Sequence, residues 1–240
     1  MKGCVAMVVM AKLPECGAVK TRLSPALSPE ERATLYRAFL LDRVDQILAI
    51  HGVLPCVAFT PPEARAAFAS LLGPAVRLIP QRGADLGERL ANAASALFEV
   101  GCRAVILVDS DTPTLPTSAL ERAVRALVEP ANDTSPAGPE VVVGPARDGG
   151  NYLIGTRRPQ PELFQGIEWS TPRVLPQTLV RAARAGLSVR LLPPWYDVDT
   201  PDDLSRLARD LESMGPAACG GPRRTAAAIA ELSGGRPPCV

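Results

Sequence analysis

Residues 5–23, VAMVVMAKLPECGAVKTRL, decide how this chain folds. An apolar run opens into a loop that is punctuated by proline and glycine and carries Lys12, Lys20 and Arg22. A buried strand followed by a basic loop is typical of α/β folds that hold a phosphate chain at the strand's carboxyl end. The loop matches neither the GxxxxGK[ST] nor the GxGxxG phosphate motif. A solvated surface loop with ordinary cations is the alternative interpretation.

Apolar strands alternate with amphipathic helices along the rest of the chain. After a first strand at 4–11, the predicted strands cover residues 54–59, 75–79, 104–108, 141–143, 152–154 and 188–192. Capping signals such as Ser28-Pro29-Glu30-Glu31 mark helix starts, and glycines such as Gly52 mark helix ends. Buried strands separated by helices predict an α/β fold with three layers, α/β/α, around a mostly parallel sheet.

Residues 1–213 are predicted to form a single domain that carries these elements. Residues 214–240 are rich in Gly, Pro and Ala, which predicts a flexible tail with one short helix over residues 225–232. Residues 129–139 combine Pro, Gly, Asn and Asp, and they are predicted to form a surface loop.

Composition argues against several classes of function. The 26 basic and 25 acidic residues give a net charge of +1, and aromatic residues make up only 4% of the chain, so nothing favours a nucleic-acid partner. No stretch reaches the roughly 18 apolar residues of a membrane span. A single histidine, His51, disfavours His-based nucleophilic mechanisms. Six cysteines without a CxxC pair disfavour zinc and fit a reducing cytoplasm. The sequence indicates no oligomeric state.

A pair of carboxylates follows the most apolar strand, in Asp109-Ser110-Asp111. Carboxylates one residue apart at a strand end can face the same side of a turn and bind a hard divalent cation. Right-handed crossovers place the carboxyl ends of parallel strands at one edge, so this motif and the basic loop are expected to face each other. Mg²⁺ or Mn²⁺ bound there would neutralise charge on a leaving phosphate group. Taken alone, the motif is equally compatible with an ordinary turn.

These motifs resemble the nucleotide-diphospho-sugar transferase superfamily, with its GT-A-like fold. More narrowly, the chain resembles a bacterial glycosyltransferase family sometimes associated with arsenosugar biosynthesis, and its opening loop is similar to 2-phospholactate and molybdenum-cofactor guanylyltransferases. The matching segments are Ala11-Lys12-Leu13-Pro14, Gly17, Lys20-Thr21-Arg22-Leu23, Asp85-Leu86-Gly87-Glu88-Arg89-Leu90, Asp109-Ser110-Asp111-Thr112-Pro113-Thr114-Leu115, Gly144-Pro145-Ala146-Arg147-Asp148-Gly149-Gly150, Trp169-Ser170-Thr171 and Asp197-Val198-Asp199-Thr200-Pro201-Asp202-Asp203-Leu204.

The resemblance implies roles for particular residues on the nucleotide side. Those it places at the nucleotide are Lys12, Lys20 and Arg22 for the phosphates, and Gln81, Gly83 and Asp85 near the base. Asp111 would be the main ligand of a Mg²⁺ or Mn²⁺ ion, with Asp109 in support and Asp199 completing the set. Asp85 is equally well explained as a plain helix N-cap, and Asp199 as a residue that precedes a helix start.

On the acceptor side, the resemblance implies a second tight loop. Asp148 is the candidate general base, because no histidine is at hand, while Gly149 and Gly150 allow close backbone approach to a ligand. The family usually carries an aromatic residue after this Asp-Gly-Gly, whereas this chain has Asn151. Trp169 could cover an acceptor or staple the start of a helix. A simple turn is the alternative interpretation of the loop.

The expected function is therefore a metal-dependent transferase that uses a nucleotide-activated donor and a small-molecule acceptor. Asp111, Asp148 and Lys20 are the candidate catalytic residues. Glycosyl transfer from a nucleoside-diphosphate sugar is the leading expectation from the resemblance. A guanylyltransferase-like nucleotidyltransferase that releases pyrophosphate is the first alternative, because three cations suit a triphosphate. A non-catalytic nucleotide-binding protein is the second.

Overall fold

The computed structural model of the protein describes residues 3–15, 17–128, 138–214 and 221–234. In chain order, its strands and helices are β1 (Val5–Lys12), α1 (Pro29–Leu48), β2 (Val53–Thr60), α2 (Arg65–Leu72), β3 (Arg77–Pro80), α3 (Leu86–Glu99), β4 (Ala104–Val108), α4 (Thr117–Val128), β5 (Val141–Pro145), β6 (Asn151–Thr156), α5 (Val174–Arg184), β7 (Val189–Leu191), α6 (Pro201–Met214) and α7 (Arg223–Gly234).

The seven strands form one sheet in the order β3-β2-β1-β4-β6-β5-β7. Strand β6 runs antiparallel to both of its neighbours, and the other pairs are parallel. At the centre, Val9 of β1 lies beside Val57 on one side and Val108 on the other. The predicted mostly parallel α/β sheet is confirmed.

Helices cover both faces of this sheet, as its continuous apolar strands require. Alternate residues of β1 point to opposite faces, so Met7 joins a core with α1, α2 and α4, while Val8 joins a second core with α3 and α5. Because the central strands β1, β4, β6 and β5 are buried on both faces, their polar neighbours are confined to the strand ends, where the loops gather.

The antiparallel strand β6 brings a second group of loops to the working edge. Val108, at the end of β4, pairs with Leu153 near the start of β6, so the loop before β6 lies beside the loop after β4. A main-chain hydrogen bond from Val198 N to Asp111 O, of 2.9 Å, fastens the segment after β7 to the same place. Loops from distant parts of the sequence therefore converge at one edge.

Helix starts follow the capping chemistry of the sequence at two predicted positions. Ser28 accepts a hydrogen bond from Glu31 N while Glu31 accepts one from Ser28 N, which completes the capping box of α1. Asp85 accepts from Glu88 N and caps α3. The sequence also predicts a helix start at Thr171-Pro172, but helix α5 begins at Val174 and Thr171 Oγ1 donates to Glu168 O.

The carboxyl-terminal segment differs from the expected flexible tail where the structure describes it. Helix α7 packs its buried Thr225, Ala228 and Ile229 into a cluster with α1 and α6. Asp42 of α1 accepts hydrogen bonds from the main-chain N–H groups of Arg224 and Thr225, so it caps α7 from another helix. Residues 215–220 and 235–240 of the predicted tail, and 129–137 of the predicted loop, lie outside the described residues.

Among the helices of the described chain, none is both long and apolar enough to cross a bilayer.

Candidate functional site

A pocket of about 450 Å³ opens at the edge where β1 and β4 end and β6 begins. The predicted site residues that line it are Lys12, Lys20, Arg22, Gln81, Asp109, Asp111, Asp148, Gly150, Asn151, Trp169 and Asp199. The other predicted site residues, Gly83, Asp85 and Gly149, are described by the structure but do not line the pocket. The basic loop and the Asp109-Ser110-Asp111 motif meet across this pocket, as the sheet topology predicts.

Lys20 is held in the middle of an oxygen cage. Its Nζ lies 2.8 Å from Asp111 Oδ1, 3.0 Å from Asp199 Oδ1 and 2.8 Å from Val198 O. The side chain is only 4% exposed. Its backbone adopts the left-handed conformation, with φ of 50°, which aims the side chain inward from the start of a short 3₁₀ turn at Thr21–Leu23.

The charge of Lys20 is fixed by its two carboxylate partners. Burial acts to lower its pKa, but Asp111 and Asp199 outweigh burial and hold the pKa above the ordinary lysine value. Arg22 extends the same network more weakly, since its Nη1 lies 3.5 Å from Asp199 Oδ2 and its side chain is 63% exposed. Lys20 is therefore a charged, enclosed ammonium, and Arg22 is a cation at the rim.

Asp109 turns away from that cage and holds its own loop in place. Its Oδ1 accepts a hydrogen bond of 2.7 Å from Thr112 Oγ1 and a longer one of 3.4 Å from Asp111 N. Burial raises the pKa of Asp109 to about 7, with the nearby Arg43 guanidinium acting in the opposite direction. Arg43 is fully buried below the loop and donates to both the main-chain oxygen and the hydroxyl of Thr112.

Tyr36 joins the two halves of the nucleotide side. Its hydroxyl accepts a hydrogen bond from Lys12 N and lies 3.1 Å from Ser110 Oγ. Tyr36 and Arg43 are seven residues apart on α1, which places both on the helix face that meets the sheet edge. Burial raises the pKa of Tyr36 to about 12, so its hydroxyl stays protonated.

The residues expected near the base are occupied in building the loop that bears them. Gln81 Nε2 donates to Ala11 O and Ala58 O, which ties the ends of β1 and β2 together. Asp85 caps α3. Gly83 has a φ of +136°, and a Cβ there would lie 2.5 Å from Glu88 Cβ. Asp85 therefore acts as the N-cap of α3. Arg89, on the following turn of that helix, lines the pocket.

The loop before β6 is a tight turn that glycine makes attainable. Asp148 Oδ1 accepts from Gly150 N at 2.8 Å. Gly149 has a φ of +92°, and a Cβ there would come within 2.3 Å of Pro172 O. Asn151 donates to Thr178 Oγ1, while its own buried Oδ1 has no hydrogen-bond partner within the described chain.

Trp169 closes the pocket and packs against another helix. A Cβ on Gly87 would lie 2.7 Å from Trp169 Nε1, so the indole rests on the first turn of α3. Ser170 beside it has a φ of 63°, which turns the chain sharply between the indole and α5. Trp169 therefore lines the pocket and packs against the start of α3, whereas the helix start expected for it was that of α5. Its role at an acceptor stays a prediction.

Asp197 is a pocket residue to which the sequence assigned no role. Burial raises its pKa to about 6, and the carboxylates of Asp148 and Asp199 add to that rise. Tyr36, Arg43 and Arg89 were also missed. The signal for Asp197 was its spacing from Asp199 after the last strand, whereas the helical residues sit in ordinary amphipathic patterns.

The donor set fits a hard divalent cation at one point. Within the described chain, no three His, Cys, Asp or Glu side chains form a ready cluster for a metal ion, and Asp109 accepts a hydrogen bond from Thr112. Asp111, Asp199 and the Val198 carbonyl nevertheless converge on a cation, the Lys20 ammonium. Mg²⁺ and Mn²⁺ prefer oxygen ligands of this kind.

Relatives in sequence share most of their length with this chain. A family model described as an uncharacterized protein conserved in bacteria (DUF2064) matches residues 43–171. A phosphoenolpyruvate guanylyltransferase of Mycobacterium sp. (strain KMS) is 30% identical over 206 residues, which are 83% of this chain and 84% of that protein. A 3-phospho-D-glycerate guanylyltransferase of Phenylobacterium zucineum (strain HLK1) is 30% identical over 218 residues, 89% and 90% of the two chains.

Solved structures share the fold. A candidate nucleotide-diphospho-sugar transferase from Desulfovibrio desulfuricans G20 superposes with a TM-score of 0.80 at 33% identity, covering 95% of this chain and 97% of that one. A CMP:2-keto-3-deoxy-manno-octonic acid synthetase complexed with CTP has a TM-score of 0.54 at 16% identity, covering 89% and 100%. The predicted resemblances to nucleotide-diphospho-sugar transferases and to guanylyltransferases are confirmed.

Proposed function

We propose that this transferase, which belongs to the DUF2064 family of bacterial proteins, is a nucleotidyltransferase. It would move a nucleoside monophosphate from a nucleoside triphosphate to a small acceptor and release pyrophosphate. GTP is the proposed donor, because both sequence relatives described above are named guanylyltransferases. The proposed catalytic unit is residues 1–213, buttressed by α7, and the proposed location is the cytoplasm, where nucleoside triphosphates are abundant.

One observation carries this proposal. Three cations line the pocket: Lys12 at the end of β1, and Lys20 and Arg22 in the loop that follows it. Lys20 also contacts the carboxylates of Asp111 and Asp199, which line the same pocket. A triphosphate carries more negative charge than a diphosphate ester, so a pocket with three cations suits it better. The carboxylates would compete with the triphosphate for these cations unless a divalent cation bound to the carboxylates. Such a cation is usual in phosphoryl-group chemistry.

The residues of the site divide into proposed roles. Lys12 and Arg22 would bind the phosphates, and Asp111 and Asp199 would hold a Mg²⁺ or Mn²⁺ ion. When bound, that ion would neutralise charge on the phosphates of the donor and of the leaving pyrophosphate. Asp109 would act indirectly, because its hydrogen bond to Thr112 keeps Asp111 aimed at the pocket.

The acceptor would enter on the side of Asp148, Gly150 and Asn151. Asp148 is the proposed general base for an acceptor that attacks through a hydroxyl group. An acceptor that attacks through a phosphate or carboxylate oxygen is already ionised at neutral pH and needs no base. The relatives are named for phosphoenolpyruvate and 3-phospho-D-glycerate, so phosphorylated organic acids are the proposed acceptor class.

Glycosyl transfer from a nucleoside-diphosphate sugar is the second candidate. Its support is the solved candidate nucleotide-diphospho-sugar transferase that is 33% identical over nearly the whole chain. The two reactions differ in the bond that breaks: nucleotidyl transfer cleaves the donor between its α- and β-phosphates, and glycosyl transfer cleaves it at the sugar carbon. Their leaving groups, pyrophosphate and a nucleoside diphosphate, are therefore distinct.

The deciding experiment measures leaving groups. Purified protein with Mg²⁺ is given each of GTP, CTP, UTP and ATP with phosphoenolpyruvate or 3-phosphoglycerate, and pyrophosphate is assayed. Parallel reactions contain UDP- or GDP-sugars and are assayed for nucleoside diphosphate. We expect pyrophosphate with GTP, and a loss of at least about 100-fold in Asp111→Asn, because a charged contact to the ion is removed. Nucleoside diphosphate without pyrophosphate would replace the proposal with the second candidate.

A further inference from the structure

We propose that the ammonium of Lys20 occupies the position of the divalent cation, so that a metal ion binds Asp111 and Asp199 together only by displacing Lys20. The inference deepens the proposed function and rests on it, since it concerns the metal of a nucleotide-dependent reaction. It makes metal binding at this site an exchange of one cation for another.

The geometry of the cage supports that exchange. Three oxygens, from Asp111, Asp199 and the Val198 main chain, surround Lys20 Nζ at 2.8–3.0 Å. Mg²⁺ binds its oxygens at about 2.1 Å, so a metal ion shared by the two carboxylates would stand at or next to the point that Nζ fills. Two cations that close repel each other, and a metal ion at that point would compete with Nζ for Asp111 Oδ1 and Asp199 Oδ1. The ammonium and the metal ion therefore exclude one another.

The choice of side chain supports a placeholder role. Only three of the 26 basic residues are lysines, at positions 2, 12 and 20, and the rest are arginines. An ammonium is a compact point charge with donors that fit a small oxygen cage, whereas a guanidinium is a planar fork. The chain thus places one of its few lysines, a compact point charge, where the carboxylates of Asp111 and Asp199 converge.

Displacement leaves Lys20 needing a new anionic partner, and its own loop provides the place for one. Lys20 lines the pocket together with Lys12 and Arg22, the proposed phosphate contacts. A flexible four-carbon stem lets the ammonium swing from the carboxylates towards a phosphate chain. Because the metal takes over the carboxylates while the phosphates receive Lys20, no buried charge is left unpaired. Donor and metal are thereby expected to favour each other's binding.

The first test measures Mn²⁺ alone, from the electron paramagnetic resonance signal of the free ion. Lys20→Met is expected to bind Mn²⁺ at least tenfold more tightly than the wild type. Lys12→Met is the matched control, since it removes a pocket cation outside the cage, and it should change the affinity less than threefold. Adding Asp111→Asn to Lys20→Met should abolish the gain. A Lys20→Met protein that is folded by circular dichroism and binds Mn²⁺ no more tightly than Lys12→Met would overturn the proposal.

The second test uses the wild type, so it does not depend on how a variant folds. An amine-acylating reagent is applied with or without Mg²⁺, and modification of each lysine is measured by peptide mass spectrometry. In EDTA, Lys20 should react at least tenfold more slowly than Lys12. Saturating Mg²⁺ should raise its reactivity at least threefold and leave Lys12 unchanged. Unchanged Lys20 reactivity, at a Mg²⁺ concentration that the wild type binds and Asp111→Asn does not, contradicts the exchange.

Both tests omit nucleotide, which separates this inference from the proposed function. If none of the four nucleoside triphosphates is turned over, the proposed function fails while the Mn²⁺ affinities still report on the cage. If pyrophosphate is released but the two metal tests fail, the function stands and Lys20 is a fixed structural partner of the carboxylates.

Discussion

The two halves of the pocket are built in opposite ways. The nucleotide half, residues 12–15, 17–22 and 109–112, is anchored to α1 through the buried side chains of Tyr36 and Arg43. The acceptor half, residues 146–151 and 169–174, is held by a glycine turn and by exposed contacts such as those between Arg173 and Glu168. The first half rests on buried polar side chains, whereas the second is held by contacts near the surface.

This difference matches the two tasks of the proposed enzyme. A donor's phosphates and their metal present the same charges in every turnover, so a rigid and buried arrangement can be matched to them in advance. An acceptor differs from one relative to the next, and loops carry such differences at little cost to the fold. We expect changes in the nucleotide half to affect stability, and changes in the acceptor half to affect acceptor use.

The largest effect is expected from Arg43→Met. Removing this buried guanidinium leaves Thr112 and Asp109 without their partner below the loop, which should cost about 4 kcal/mol in the free energy of unfolding. Denaturant unfolding, followed by circular dichroism, measures that cost. Arg37→Met is the matched control, because Arg37 is exposed on the same helix, and it should change stability by less than about 0.5 kcal/mol. Equal denaturation midpoints for the two variants would mean that α1 does not brace the site.

A smaller effect is expected from Gly149→Ala, about 2 kcal/mol, because the new Cβ would meet the main chain of Pro172 and the residue keeps a positive φ. Gly52→Ala separates the two causes. Gly52 has a φ of +76° and open space around it, so it should show only the backbone cost, about 1 kcal/mol. Thermal unfolding of both variants gives the comparison. A Gly149→Ala protein as stable as Gly52→Ala would show that the acceptor loop accommodates the new Cβ without cost.

The smallest effect on stability is expected from Trp169→Phe, below about 1 kcal/mol, since most of the ring's apolar contact remains. Because Trp169 lines the pocket, the KM for the acceptor should instead rise about threefold, with kcat nearly unchanged.

The other tryptophan of the chain gives the opposite pattern. Trp195 donates from Nε1 to Thr114 Oγ1, so Trp195→Phe should lose about 1 kcal/mol of stability and leave the KM for the acceptor as it is. Steady-state kinetics and thermal unfolding of the two variants are compared directly. If the KM rises equally in both, the acceptor does not meet the wall formed by Trp169.

The sequence predicts the parts of this molecule that depend on neighbouring residues. Strand and helix order, the capping box at Ser28 and the meeting of the basic loop with Asp111 all follow from local pattern and from the rules of parallel sheets. The sequence does not predict which side chains face each other across 178 or 179 residues, as Lys20 does with Val198 and Asp199. A lysine in a basic loop predicts a contact with phosphate. Only the folded structure shows that Lys20 lies between two carboxylates.

Polar residues on α1 escaped prediction for a related reason. Tyr36 and Arg43 fit the ordinary pattern of an amphipathic helix, and nothing nearby in the sequence marks them as supports of a distant loop. The sequence predicts α7 only as a short helix within a flexible tail, because the composition of residues 214–240 does not reveal that Ala228 and Ile229 pack against α1 and α6. In each case a long-range contact overrides the local signal.

The capping of α7 by Asp42 has a practical consequence for truncated forms of this protein. Trimming the chain after α6 would expose part of the apolar cluster that includes Leu35 and Phe39 of α1. It would also remove the two main-chain N–H groups that donate to the Asp42 carboxylate. We therefore expect the truncated protein to self-associate. The natural place to cut, or to attach a purification handle, is therefore beyond residue 234.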